Sequence, residues 1–125
     1  MIQIEQTIPI LRIFDVAKAK AFYLDFLGFN IDFEHRFEAS LPLYMSISRN
    51  GMTLHLSEHH GDGTPGTVVF VRMKGLDDFH RELAAKNYDY LRPGIEDQRP
   101  DLPFRLMNVL DPFGNRIRFA EFEAS

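Results

Sequence analysis

Five histidines occur in this 125-residue chain. Three of them, His55, His59 and His60, lie close together, and two arginines, Arg116 and Arg118, sit near the end. These are the side chains best suited to chemistry. An extended Met52–Ser57 puts Thr53, His55 and Ser57 on one face and Met52, Leu54 and Leu56 on the other. An imidazole with a pKa near ~6.5 suits a general base, or equally a hydrogen-bonding wall residue that does no chemistry. Arg116 and Arg118 alternate with Ile117 and Phe119 in the same way. A guanidinium there would hold an anionic ligand group, or pair with Glu38 or another carboxylate inside a cleft; Arg116 suits the surface. Glu58, His59 and His60 with His55 would make a metal site only if adjacent histidines converged. On an extended chain they point opposite ways, which favours exposed loop histidines. His35, among Asp32, Glu34, Arg36 and Glu38, reads as a solvated rim whose carboxylates could steer a cation. Tyr44 and Phe104 suit either a stacking surface for a planar ligand or the core. His80 is expected on an exposed helical face near Asp77.

The elements that must position these side chains come in two similar runs. Ile8–Ile13 reads as a strand, with Pro9 marking an edge, bulge or crossover because it lacks a donor. Asp15 is a suitable N-cap for a helix over Val16–Leu27, which Gly28 ends. Strands follow at Phe29–Phe37, Leu43–Arg49 and Met52–Ser57, the last two joined by the hairpin signal Asn50-Gly51. The second run begins with Thr67–Met73. A helix Leu76–Lys86 follows, with Asp77 and Asp78 in its first turn, where carboxylates suit the helix dipole. Tyr88–Leu91 reads as a strand and Arg92–Pro103 as an irregular connection. Phe104–Leu110 and Asn115–Phe122 are the closing strands, with Glu121 and Glu123 at a rim or in a solvated tail. The implied fold is α+β: two βαβββ repeats forming a cupped, barrel-like mixed sheet with helices outside. Such a sheet encloses a cavity suited to a small molecule. We expect one domain over 1–125, with repeat units of about 1–60 and 66–125 and the Gly-rich stretch from His59 to Gly66 as a flexible linker.

Composition narrows the function further. A formal charge of −4 argues against nucleic acid, which needs a basic face. The chain has no cysteine, so thiol and disulfide chemistry are excluded. There is no Ser-His-Asp pattern and no phosphate loop. No apolar run approaches the ~18 residues of a membrane span, and no signal pattern opens the chain, so the expected compartment is the cytoplasm.

Several of these segments resemble one superfamily. Ile8-Pro9-Ile10-Leu11, Asp15-Val16-Ala17-Lys18-Ala19, Phe22-Tyr23, Leu27-Gly28-Phe29 and Leu110-Asp111-Pro112-Phe113-Gly114-Asn115 are similar to the opening unit and closing turn of the vicinal-oxygen-chelate superfamily. That superfamily includes glyoxalase I, extradiol dioxygenases and drug-resistance proteins. Pro9, the Asp15 helix start, Phe29 with Asp32-Phe33, and Val71-Arg72 to Gly75-Leu76-Asp77 resemble its bleomycin resistance proteins. Those are non-enzymatic dimers that exchange the first strand and sequester a cationic drug in interface clefts. The resemblance places the metal-ligand positions of the enzymatic members at Ile8, His55, Thr67 and Arg118, of which only His55 is a good ligand. It implies a protein without metal or other cofactor that binds a drug or metabolite through Thr53, His55, Arg118, Tyr44 and Phe104. It also implies a homodimer, with the first strand exchanged near Pro9. The alternative is an enzyme of the same superfamily, a glyoxalase-like lyase or isomerase or a dioxygenase, with His55 as catalytic base. A third reading is an interaction module whose cleft is filled by its own side chains.

Overall fold

The computed structural model describes residues 1–124 and separates into two compact units, Met1–Pro65 and Gly66–Ser125. Each unit carries one four-stranded mixed sheet. The first has the order β1-β4-β3-β2, from β1 (Ile10–Arg12), β2 (Asn30–His35), β3 (Tyr44–Arg49) and β4 (Met52–Ser57). The second has the order β5-β8-β7-β6, from β5 (Val68–Arg72), β6 (Ile95–Asp97), β7 (Phe104–Leu110) and β8 (Arg116–Phe122). In both sheets the first strand runs parallel to the last and the remaining pairs are antiparallel. The fold is the expected α+β repeat. Each sheet keeps two free edges, so neither closes into a barrel by itself.

Alternation decides the core. In the first unit Leu11, Ile13, Met45, Ile47, Leu54 and Leu56 share one sheet face and are fully buried. The helix of this unit supplies Ala19, Phe22, Tyr23, Phe26 and Leu27 to the same core. It begins as α1 (Val16–Lys20), with the Asp15 carboxylate accepting from Lys18 N at 3.0 Å. Over Ala21–Phe26 it widens into a π-helical turn, where Leu27 N donates to the Phe22 carbonyl five residues back. The wider turn lets the consecutive rings of Phe22 and Tyr23 both point inward, meeting edge to face at 5.0 Å. In the second unit α2 (Leu76–Ala85) lays Leu76, Phe79 and Leu83 into a core with Met107, Val109, Ile117 and Phe119.

Four local expectations need correction. The first strand is only Ile10–Arg12, because residues 1–9 form no strand. Tyr88–Leu91 is not a strand; the Tyr90 hydroxyl instead donates to the Asp111 carbonyl at 2.8 Å. The edge strand β6 lies inside the stretch expected to be irregular, where Ile95, Glu96 and Asp97 pair with β7. Glu121 is not a rim or tail residue: its Oε1 accepts from Gly75 N at 2.6 Å and Leu76 N at 3.0 Å, capping α2 from the neighbouring strand. Asn50 and Gly51, with φ of 49° and 89°, form the expected hairpin turn.

Candidate functional site

The polar face of the first sheet is the more elaborate of the two. The β3–β4 ladder places Ser46 beside His55, Ser48 beside Thr53 and Tyr44 beside Ser57. Thr53, His55 and Tyr44 therefore share one face, opposite the helix-covered one. The Tyr44 hydroxyl and His55 Nδ1 are hydrogen-bonded at 2.6 Å. With the phenol as donor the imidazole proton sits on Nε2; with the proton on Nδ1 the phenol oxygen accepts instead. Burial, and then the Asp62 carboxylate, push the Tyr44 hydroxyl above its ordinary value, so it stays neutral at any working pH. Phe33 meets the His55 ring edge to face at 5.7 Å and Tyr44 meets it at 5.2 Å. The imidazole is thus held by one hydrogen bond and two rings.

A cleft of about 380 Å³ opens on this face, lined by Phe33, His35, Phe37, Tyr44, His59 and Asp62. Three of these, His35, His59 and Asp62, occupy positions whose sequence suggests a rim or a linker. His35 packs edge to face on Phe37 at 4.7 Å. His59 is half-buried rather than a free loop histidine, 6.4 Å from Tyr44 and 6.1 Å from Phe37. Asp62 accepts from the Ser57 hydroxyl at 2.8 Å. The loop is folded by Ser57 Oγ accepting from His59 N at 3.0 Å, and by Gly63 lying flat against β1. The pattern Ser57-x-His59 is a local turn signal, but only the docking of the loop on β1 turns Asp62 to the cleft.

Asp32 is exposed on the edge strand β2, as the rim reading expects. The register shift between Ile31 and Phe33 is a bulge that turns Asp32 onto the polar face, where it accepts from Ser46 Oγ at 2.9 Å and Ser48 Oγ at 2.7 Å.

The second sheet carries the other two candidate residues. Phe104 lies opposite Phe122, and Arg118 lies between Asn108 on β7 and Phe70 on β5. Both belong to the face not covered by α2. Phe70, Phe104 and Phe122 form a ring cluster with centroid separations of 5.0 to 6.1 Å. Among the described residues no carboxylate pairs with Arg118, neither Glu38 nor any other, and its Nε is buried without a hydrogen-bond partner.

A family model for a glyoxalase superfamily protein matches residues 1–125. The chain belongs to the glyoxalase superfamily. No curated protein matches it. Among solved structures, the bleomycin-binding protein of bleomycin-producing Streptomyces verticillus, complexed with copper(II)-bleomycin, is 27% identical over 98% of this chain and 100% of its own, with a TM-score of 0.70. The bleomycin resistance determinant encoded on transposon Tn5 is 23% identical over 97% of this chain and 100% of its own, with a TM-score of 0.70. An antibiotic-binding protein of a Streptomyces species is 16% identical over 98% and 100%, with a TM-score of 0.73. The last two share the fold.

Metal-dependent members of the superfamily hold a divalent ion between the first and last strands of the repeats, so the residues at those places can be tested for fit. In the first sheet Ile10 stands beside His55; in the second Phe70 stands beside Arg118 and Val68 beside Arg116. Ile8 precedes β1. Thr67 precedes β5, where its carbonyl accepts from Arg116 N at 2.9 Å. Aliphatic and phenyl groups have no donor atom, and a guanidinium repels a cation at every working pH. These positions do not fit a divalent ion. Among the described residues no three His, Asp or Glu side chains converge to form a metal site elsewhere.

Proposed function

We propose that the chain is a metal-free small-molecule-binding protein that sequesters a drug or metabolite, without turnover, in a cleft completed by a second copy at a homodimer interface. The observation that carries this reading is the Tyr44–His55 wall with its surrounding rings. Phe33, Phe37, His35 and His59 offer flat apolar surfaces and ring edges to a planar ligand, and Asp62 offers an acceptor to its polar groups. The relation to a bleomycin-binding protein supports an antibiotic as the ligand class. The first nine residues support the exchanged strand. They form no strand here, and Ile2 and Ile4 are 92% and 81% exposed, which gives an apolar arm that pairing with another copy would cover.

Calorimetric titration with bleomycin, with and without copper(II), tests the reading alongside sedimentation of the free protein. The expected result is saturable binding to a dimer, weakened about tenfold in Tyr44→Ala, which loses both the ring and the His55 hydrogen bond. Stoichiometric tight zinc or iron(II), or turnover of a dicarbonyl or a dihydroxy aromatic, would overturn it in favour of an enzyme.

A further inference from the structure

The second sheet carries three arginines on one face. Val68, Phe70 and Arg72 of β5 lie beside Arg116, Arg118 and Ala120 of β8, so Arg72, Arg116 and Arg118 all project from the side not covered by α2. Arg116 and Arg118 are about 7 Å apart along their strand. The chain has 18 acidic and 14 basic residues, so carboxylates are in excess. Elsewhere in this unit Arg81, Arg92, Arg99 and Arg105 each have a carboxylate partner. Among the described residues the three arginines of this face have none. Glu96, the acidic residue of the same face, stands on β6 beyond Leu106 and Ala120 and receives Gln98 Nε2 instead.

Two further features suit this face to a ligand. The Nε of Arg118 is buried with no acceptor, and so is the Oδ1 of Asn108 beside it with no donor. Buried polar atoms are normally paired, and an anionic oxygen would give the Arg118 Nε donor the acceptor it lacks. The surroundings are apolar and open: Phe70 is 48% exposed next to Phe104, and Arg72 stacks its guanidinium 3.9 Å over Phe122.

We propose that this face binds an aromatic anion: a flat ring system lies on Phe70 and Phe104, and its carboxylate or phosphate oxygens accept from Arg118, with Asn108 turning its amide to donate and Arg116 adding charge. This deepens the small-molecule-binding reading and rests on it, while naming a ligand of the charge opposite to the one the Asp62 cleft would attract.

Affinities for 2-naphthoate, 2-naphthyl phosphate and the neutral 2-naphthamide, measured by calorimetry on the full chain, test it. The acid or the phosphate binds at least tenfold more tightly than the amide, as a charge-assisted contact requires, and the tighter of the two identifies the anionic group. Arg118→Met removes that preference, Arg116→Gln reduces it, and Arg81→Gln, an equal charge loss on α2, leaves it unchanged. Thermal melting of each variant shows whether it is folded, and Arg116→Gln, at a half-exposed position, keeps the test decisive if Arg118→Met is not. Equal affinity for acid and amide, a preference that survives Arg118→Met, or no naphthyl binding at millimolar concentration overturns the proposal. If bleomycin still binds in those cases, the small-molecule-binding reading stands without it; if nothing binds, both fall. A change of sedimentation in Arg118→Met with no change in the acid-to-amide ratio would show that a second copy covers the arginines, and would also overturn it.

Discussion

Removing the Glu121 carboxylate tests whether α2 is held by the last strand rather than by its own sequence. The residue before the helix, Gly75, has φ 86° and no side chain, so the N-terminal donors of α2 have no local cap. Glu121 supplies it from 45 residues away, one oxygen taking Gly75 N at 2.6 Å and Leu76 N at 3.0 Å. Its other oxygen lies 3.5 Å from Arg105. Losing a side-chain cap costs about 0.5–2 kcal/mol, and a carboxylate at a helix N-terminus adds a favourable dipole interaction of about 0.3–1 kcal/mol. With the side chain 29% exposed, solvent screening takes part of this. We expect Glu121→Ala to lose about 1.5 kcal/mol at pH 7, or about 5 °C in Tm for a domain of this size. Glu121→Gln, which keeps one acceptor, should lose less. The hydrogen bond from Leu76, then that from Gly75, holds the Glu121 carboxyl below its ordinary value of 4.5. A carboxyl lowered in the folded state contributes stability that is complete above its unfolded value and is lost as pH falls through its folded value. The gap between wild type and Glu121→Ala should therefore be full at pH 7 and close below 4.5. Urea unfolding followed by circular dichroism at pH 7, 4 and 3 measures it. A gap under about 0.3 kcal/mol at pH 7, far below the usual cost of losing a cap, or one undiminished at pH 3, would refute the reasoning.

Two other sites lend themselves to the same kind of measurement. Asp111 is buried and accepts from Phe113 N and Asn115 N at 2.8 Å and from Asn115 Nδ2 at 2.9 Å. Asp111→Ala strands those donors and should cost about 3 kcal/mol or more by urea unfolding; a loss below about 1 kcal/mol, no more than one ordinary hydrogen bond, would mean that water replaces the carboxylate. Gly63 has φ 80°, and a Cβ there would stand 3.0 Å from the Ile10 carbonyl oxygen. Gly63→Ala should cost about 1–2 kcal/mol and free the loop that carries Asp62, so its Tm should fall and bleomycin binding should weaken together. A normal Tm with normal binding would show that the loop does not need that approach.

Much of the repeat was legible because it rests on local rules. Asp15 caps as its position suggests, Asn50-Gly51 turns as the dipeptide demands, and the alternation along β4 and β8 sorts Leu54 and Leu56 from His55, and Ile117 and Phe119 from Arg118. Errors gathered where a partner distant in the chain overrides local preference. Ile95–Asp97 becomes a strand because β7 offers it an edge, although prolines surround it. Asp32 keeps its exposed place on the edge strand β2, yet a single-residue bulge, with no compositional signature, turns its carboxylate over Ser46 and Ser48. His59 and Asp62 look like loop residues because the order of the loop comes from its docking on β1.

By itself, then, the sequence determined the α+β repeat, the strand faces and the identity of the residues that do not suit a metal. These follow from side-chain periodicity, turn chemistry and the donor atoms each residue type carries. Only the tertiary structure decided that Tyr44 holds His55, that Glu121 caps α2, and that, among the described residues, the buried Nε of Arg118 has no hydrogen-bond partner. The physical reason is range. A residue's own type and its near neighbours set its rotamers and its backbone, but hydrogen bonds and ion pairs reach only about 3–4 Å. Which groups come that close is settled by the pairing of whole strands.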